Sequence, residues 1–411
     1  MREPKAVKAD IEKQLANPPH KVSIVNLVDL FVEYSYVLRA SDIHIEPEAE
    51  DLRVRFRVDG MLTDIFDKKN LDKDLHQEII TRIKVLSGLR TDEHLLPQDG
   101  RFKVKLEGFG EVDVRVSIMP TYHGENAILR ILAETQSFKL EDLGFDTGEL
   151  DKVKRAMRKS YGMILANGPT GSGKSTTLYT ILKQLNQPDV SIITIEDPLE
   201  YSMGGTTQIQ VNNQVGLTFA NGLRSILRQD PNIIMVGEIR DQETAAIAVN
   251  AALTGHLVLS TLHTNDSATT FPRLIDMGVP PFLVASTINV AMGQRLVRMV
   301  CQKCKKDRVL NPMEVKSLSE IIPDLNPKLS HFYMGAGCAE CNGSGYAGRI
   351  GIREVLEVNE DVRQLIMGRA NAKQIKDAAI KNGMTTMVKD GVQKALKGLT
   401  SLEEVLRIIH E

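Results

Sequence analysis

The chain has 411 residues, 42% of them hydrophobic and 25% charged, with a formal net charge of -2. That is enough for two or three domains with buried cores, which excludes a disordered chain, and the near-balanced charge gives no global basic signature for nucleic acid. No apolar run approaches the ~20 residues that span a bilayer, and the mixed-charge start is neither a signal nor a transit peptide, so the expected class is a soluble cytosolic multidomain protein that reaches a membrane only by docking there.

Residues 1–20 are charged and end in Asn17-Pro18-Pro19, a linker or helix followed by a stop. Residues 22–38 carry apolar positions at helical spacing: Val25, Val28, Leu30 to Val32 and Tyr36. Residues 41–46 alternate, and 52–58 alternate more clearly, with Val54, Phe56 and Val58 opposite Arg53, Arg55 and Arg57. Asp59-Gly60 is a turn signal, and 61–66 can return as the second strand of a hairpin. A helix pattern over 75–86 precedes strands at 101–106 and 111–118, joined through Gly108 and Gly110, and a third at 127–132. Residues 138–148 predict a hinge and a helix cap. From Tyr161 the pattern changes. The near-continuous apolar runs 163–166, 192–195, 233–236 and 257–260 suit strands buried on both faces of a mainly parallel sheet. A Gly-rich insert with cysteines runs from 298 to about 350, and the remainder reads as helices.

Gly168-Pro169-Thr170-Gly171-Ser172-Gly173-Lys174-Ser175, followed by Thr176, matches a phosphate loop in full. The glycines let backbone amides turn inward around phosphate oxygens, Lys174 brings a point charge to the β and γ phosphates, and the Ser175 hydroxyl can ligate magnesium. A strand precedes the loop. A helix follows it, with Leu178, Ile181, Leu182 and Leu185 on one face, and its N-terminus adds a favourable dipole. The loop alone implies binding of ATP; hydrolysis needs more.

That addition is acidic. The strand at 192–195 delivers Glu196 and Asp197, and the strand at 233–236 delivers Gly237-Glu238-Ile239-Arg240-Asp241. Ligands of open parallel sheets sit at the carboxyl ends of the strands. One acid can hold magnesium or its waters and the other can orient or deprotonate the attacking water. His256 and His263 flank a third strand, which makes His263 a candidate phosphate sensor beside the plainer reading of a packed or capping histidine. All four cysteines fall in two Cys-x-x-Cys pairs, Cys301/Cys304 and Cys338/Cys341, a set of four thiolates for a closed, structural zinc site. The segment between the pairs is longer than a compact zinc ribbon prefers.

In the order GPTGSGKSTTLY, ITIEDPLEY, IIMVGEIRD and GHLVLSTLHTND, the chain resembles the secretion ATPases of type II secretion and type IV pilus assembly, the PilB and GspE group, over about 22–409. The resemblance implies an α/β chain with a small PAS-like N-terminal domain (21–137) after the leading segment 1–20 and a flexible linker (138–148). A RecA-like P-loop NTPase core (149–297), the zinc-binding insert (298–350) and C-terminal helices (351–411) complete it. It also implies a homohexamer on the cytoplasmic side of the inner membrane that acts on a membrane platform protein, with ATP, Mg2+ and Zn2+ as cofactors. Carried over, Glu196 is the general base and Glu238 the magnesium-organising acid, roles that could be exchanged. A metal-bearing insert marks the assembly and secretion branch of the family and is missing from the retraction branch. The insert therefore implies an extension or secretion motor and not a retraction motor; overall resemblance alone makes pilus extension the expectation, with type II secretion as the alternative. Members of this branch often carry a further N-terminal domain, whereas this chain begins almost at the PAS-like domain, as a natural short form or a shortened chain would. Basic residues often precede LPQDGR in the family; here the run is Asp92-Glu93-His94-Leu95.

Four arginines complete the expected site. Arg224 and Arg228 stand at i and i+4 of a helix predicted over 218–228. Arg115 faces away from Val112, Val114, Val116 and Ile118 on its strand, and Arg130 lies on the next. Each alone reads as a surface ion pair; the resemblance places all four near ATP phosphates, the second two on the mobile domain. A hexameric nucleic-acid motor is the rival enzyme class, and the absence of Trp and the low aromatic content weigh against it. A non-hydrolysing ATP-binding assembly factor is the other rival, and the paired strand-end glutamates weigh against that.

Overall fold

The computed structural model describes residues 2–66, 71–106, 110–132, 139–200, 202–321 and 331–410. Gly108 of the expected hairpin turn, Ser137 and Phe138 at the expected domain boundary, and Tyr201 of the ITIEDPLEY motif lie outside these residues. Contacts divide the chain into two compact units, Met1–Gln136 and Ser137–Glu411.

In the first unit, strands β1 (Ala40–Pro47), β2 (Asp51–Val58), β3 (Met61–Asp64), β4 (Leu71–Asp72), β5 (Gln98–Leu106), β6 (Gly110–Thr121) and β7 (Gly124–Leu132) form one antiparallel sheet. Its order is β3-β2-β1-β7-β6-β5, with β4 on β2. Alternation decides which face is covered. Leu52, Val54, Phe56, Val112, Val114 and Val116 are buried in one cluster with Phe31 of the helix Ile24–Val37 and Ile79, Ile80 and Ile83 of the helix Asp74–Leu86. The leading segment is a helix, Pro4–Leu15, that buries Val7 and Ile11 in the same core.

The opposite face of the sheet is charged. Arg101 pairs across the ladder with Arg115, Arg115 with Arg130, Arg130 with Asp42, and Asp42 with Arg57. Four arginines and one aspartate thus line up across five strands. Asp42 accepts from Arg130 Nε at 2.9 Å and lies 3.5 Å from Arg57 Nε.

The second unit is built on β8 (Gly162–Asn167), β9 (Ile192–Glu196), β10 (Thr207–Gln210), β11 (Ile233–Val236), β12 (Leu257–Leu262), β13 (Ile288–Val300) and β16 (Tyr346–Glu357), in the order β10-β9-β11-β12-β8-β13-β16. The ladders are parallel except β13–β16. The apolar runs of β8, β9, β11 and β12 are buried throughout, with core clusters on both sides.

The expectation that everything beyond 350 is helical needs correction. Strand β16 continues to Glu357 before the helices Glu360–Met367, Ala372–Lys381, Met387–Leu396 and Leu402–His410. Its pattern is hidden because Arg353 and Glu354 are buried polar residues where an apolar period would show. A small two-stranded ladder, β14 (Lys305–Arg308) with β15 (Phe332–Gly335), lies in the insert between β13 and β16.

Candidate active site and metal cluster

Strand β8 ends at Asn167 and the chain turns at Gly168, whose φ of +144 belongs to glycine. A Cβ there would lie 2.5 Å from the Gln294 carbonyl oxygen, so the loop runs hard against β13. Thr170 and Gly171 are exposed; Ser172 and Lys174 are buried. Lys174 Nζ donates to the Gly168 and Pro169 carbonyls at 2.8 and 2.9 Å, folding the ammonium back over the loop. Burial pushes its pKa down, and the Glu238 charge works against that shift. Gly173 precedes the helix Lys174–Leu185, whose first turn carries the exposed Ser175 and half-buried Thr176. Gln294 braces the loop from β13: its Nε2 donates to the Ser172 carbonyl at 2.9 Å and its Oε1 accepts from the Thr177 hydroxyl at 3.0 Å.

The acidic residues arrive where parallel-sheet topology sends them, at the carboxyl ends of β9 and β11 beside β8 and β12. Glu196 is the last residue of β9 and is 3% exposed. It accepts from the Tyr179 hydroxyl at Oε2 (2.5 Å) and from the Thr194 hydroxyl at Oε1 (2.6 Å). Burial raises its pKa, the hydrogen bonds from Thr194, Tyr179 and Gln208 draw it back, and the Glu200 charge raises it further. Glu238, two residues past β11, meets Arg240 at 2.5 Å through Oε1 and His263 Nε2 at 3.0 Å through Oε2.

His263 therefore joins the acid at the strand ends. His256 sits at the other end of β12, where its Nδ1 bonds the Ala251 carbonyl at 2.9 Å, a structural role. Arg224 lies on the helix Phe219–Ile226 and pairs with Glu243 at 2.5 Å. Arg228 follows that helix, shorter than the span 218–228, and donates to the Arg224 carbonyl and the Ser225 hydroxyl at 3.1 and 3.3 Å. Arg115 and Arg130 stand side by side in the first unit's charged row.

Sequence reasoning missed Tyr179, Thr194, Gln208, Arg240 and Gln294. Tyr179, Thr194 and Arg240 lie inside the four motifs and could have been found there. Gln294 had no signal, since it is a polar residue in an unrecognised strand.

The four cysteines converge at the end of the β13–β16 ladder. Their sulfurs lie within 4.8 Å of one another, and the closest pairs are 3.7, 3.8 and 3.9 Å apart. A tetrahedron with metal–sulfur bonds of about 2.3 Å has edges of roughly 3.8 Å, so the thiols fit a zinc-sized ion. The backbone N–H groups of Cys338 and Gly345 donate to the Cys341 sulfur at 3.2 and 3.3 Å, an arrangement that suits a ligating thiolate. The long spacing is accounted for by the β14–β15 ladder, which returns the chain so that Ala336 N bonds the Cys304 carbonyl at 2.9 Å. Among the described residues no other such cluster occurs, and no helix is long and apolar enough to cross a membrane.

Residues 19–407 match the family described as type II/IV secretion system protein. The chain is 46% identical over 376 residues to the type IV pilus assembly ATPase PilB of Thermus thermophilus, covering 91% of this chain and 42% of that protein. It is 45% identical over 403 residues to the type II secretion system protein E of Xanthomonas campestris pv. campestris, covering 98% of this chain and 70% of that protein. The chain thus spans less than half of the first relative and about two thirds of the second. Among solved structures, the pilus retraction motor PilT with bound ADP matches at a TM-score of 0.63 and 27% identity, covering 92% of this chain and 95% of that one.

Proposed function

The chain belongs to the type II/IV secretion system protein family, and from that premise we propose that it is an ATP-hydrolysing motor subunit of type IV pilus assembly. It works as a ring of six identical chains at the cytoplasmic face of an inner membrane, held there by a platform protein and binding no nucleic acid. The observation that carries the reading is the convergence of the phosphate loop, Glu196, Glu238 and His263 at one edge of a parallel sheet. In this site the loop from Gly168 to Thr176 binds ATP. Lys174 neutralises the β and γ phosphates, Ser175 and Glu238 hold magnesium, the latter through water, and Glu196 takes the proton of the attacking water. His263, Arg224 and Arg228, with Arg115 and Arg130 of the first unit, answer the phosphate charge. Zinc in the cysteine cluster is structural.

Lys174→Ala should abolish turnover. Glu196→Gln should bind ATP and hydrolyse it roughly 10²–10⁴-fold more slowly. Wild-type turnover by Glu196→Gln together with loss in Glu238→Gln would overturn the assignment of the base. Type II secretion is the second reading, because relatives of both names match at 46% and 45% identity. Deleting the gene separates them: loss of surface filaments supports the first, and loss of exported proteins with filaments intact supports the second.

A further inference from the structure

Tyr179 lies on the helix that opens at the phosphate loop and is 3% exposed. Its hydroxyl donates to Glu196 Oε2 at 2.5 Å. Gln208, on β10, donates its Nε2 to the Tyr179 oxygen at 3.2 Å. A phenol has one proton to give. An ionised carboxylate can only accept, so in the bond to Glu196 the phenol supplies the proton. Thr194, on the same strand as the glutamate, covers the other carboxylate oxygen. The carboxylate is therefore held on both oxygens, from its own strand by Thr194 and from the phosphate-loop helix by Tyr179, with a further hydrogen bond from Gln208.

We propose that Tyr179 is a positioning residue for ATP hydrolysis: its hydroxyl orients the Glu196 carboxylate and ties it to the helix whose first turn carries Lys174 and Ser175. The proposal rests on the reading of Glu196 as the acceptor of the water proton. Each carboxylate oxygen has two acceptor directions, so the donors Tyr179, Thr194 and Gln208 fix the group and still leave one direction for water. Orientation matters because a base must sit within hydrogen-bond reach of the proton it removes. The base must also be ionised, and burial disfavours that form while the hydroxyl donors favour it. Glu200, the like charge that bears on Glu196, acts in the same direction as burial. A tyrosine buried merely for packing also seeks a partner for its hydroxyl, but its loss would not move the titration of the base.

Tyr179→Phe in the full chain removes the hydroxyl and keeps the ring. Steady-state ATPase rates across pH should show kcat lower by about tenfold with KM for ATP nearly unchanged. The acid limb of the kcat profile should move up by about one pH unit. An unchanged limb and an unchanged kcat overturn the proposal, as does a rise in KM alone. Glu196→Gln is measured alongside. If it turns over at the wild-type rate, the reading of Glu196 has failed. If it is slow while Tyr179→Phe is normal, only the Tyr179 proposal has failed. Added to Glu196→Gln, Tyr179→Phe should have no further effect, and an additional loss overturns action through Glu196. Should Tyr179→Phe not fold, fluorotyrosine at position 179 keeps the ring and makes the hydroxyl a stronger donor; the acid limb should then move down, and an unmoved limb overturns the proposal.

Discussion

Gln294→Leu tests how the phosphate loop is held. Gln294 is fully buried on β13, and its amide makes one bond to the Ser172 carbonyl and one to the Thr177 hydroxyl. Leucine is close in size, so packing changes little and the hydrogen bonds are what is lost. A buried group left without its partner costs about 1–3 kcal/mol, hence about 2–6 kcal/mol for two. The Thr177 hydroxyl can turn to a carbonyl one turn back in its own helix, so the lower end, about 2 kcal/mol, is expected. Part of this appears as lower stability without nucleotide. The rest appears as weaker binding, because ATP must then order a loop that Gln294 no longer braces. A dissociation constant for a fluorescent ATP analogue weakened roughly tenfold corresponds to about 1.4 kcal/mol. Thermal melting of the nucleotide-free protein should fall by about 2 °C or more. An unchanged dissociation constant together with an unchanged melting temperature would refute the reasoning.

Elemental analysis of freshly purified protein should find one zinc per chain, and Cys338→Ser should release it and loosen the insert to proteolysis; metal-free protein with four titratable thiols would exclude the site. Glu149→Gln addresses pH. Burial, with the nearby charges of Asp390 and Asp146, lifts the Glu149 carboxyl from 4.5 to about 8. In that window the folded chain keeps a proton that the unfolded chain has lost. This contribution is therefore fully present below about 4.5 and is lost as pH rises through about 8. The glutamine variant should match wild type near pH 4.5 and gain relative stability up to pH 8, by at most ~1.4 kcal/mol per pH unit, read from urea melts at several pH values; a gain confined to low pH would contradict it. Arg115→Ala and Arg130→Ala should fold and bind ATP yet lose most turnover. Mixing Arg115→Ala chains with Lys174→Ala chains should restore part of it if Arg115 acts across a subunit boundary, and no recovery despite confirmed subunit exchange counts against that.

The parallel core was legible because its strands are short, apolar and followed by residues with chemistry. Once β8, β9, β11 and β12 are strands, topology carries the phosphate loop, Glu196, Glu238 and His263 to one edge. What stayed hidden has a common cause. Gln294, Arg353 and Glu354 are polar and buried, so they erase the apolar period of the strands that carry them. Their polar groups meet partners far along the chain: Gln294 the phosphate loop, Glu354 the Ser267 N and Oγ at 2.9 and 2.8 Å, and the Arg353 guanidinium the Leu143 carbonyl. The charged row of the first unit was half visible. Alternation separates Arg115 from its apolar neighbours, but register, which no pattern in one strand supplies, sets it beside Arg101 and Arg130.

The surroundings of the two acids bear on which of them is the base. Glu238 meets a guanidinium at one oxygen and an imidazole at the other, and its charge reaches Lys174. Such company fixes the carboxylate from both oxygens, which suits a group that orders a metal ion and its waters. Glu196 meets neutral donors, the Tyr179 and Thr194 hydroxyls and the Gln208 amide, with Glu200 as the charge that bears on it, and its pKa is raised by burial. A raised pKa brings a carboxylate nearer to the working pH, where accepting a proton from water is less unfavourable. These neighbours support the proposed roles, Glu196 as base and Glu238 as magnesium organiser. The discriminating measurement is the metal dependence of each variant. Glu238→Gln should demand a higher magnesium concentration for half-maximal turnover. Glu196→Gln should leave that concentration unchanged while lowering the plateau, and the opposite pattern would exchange the two roles.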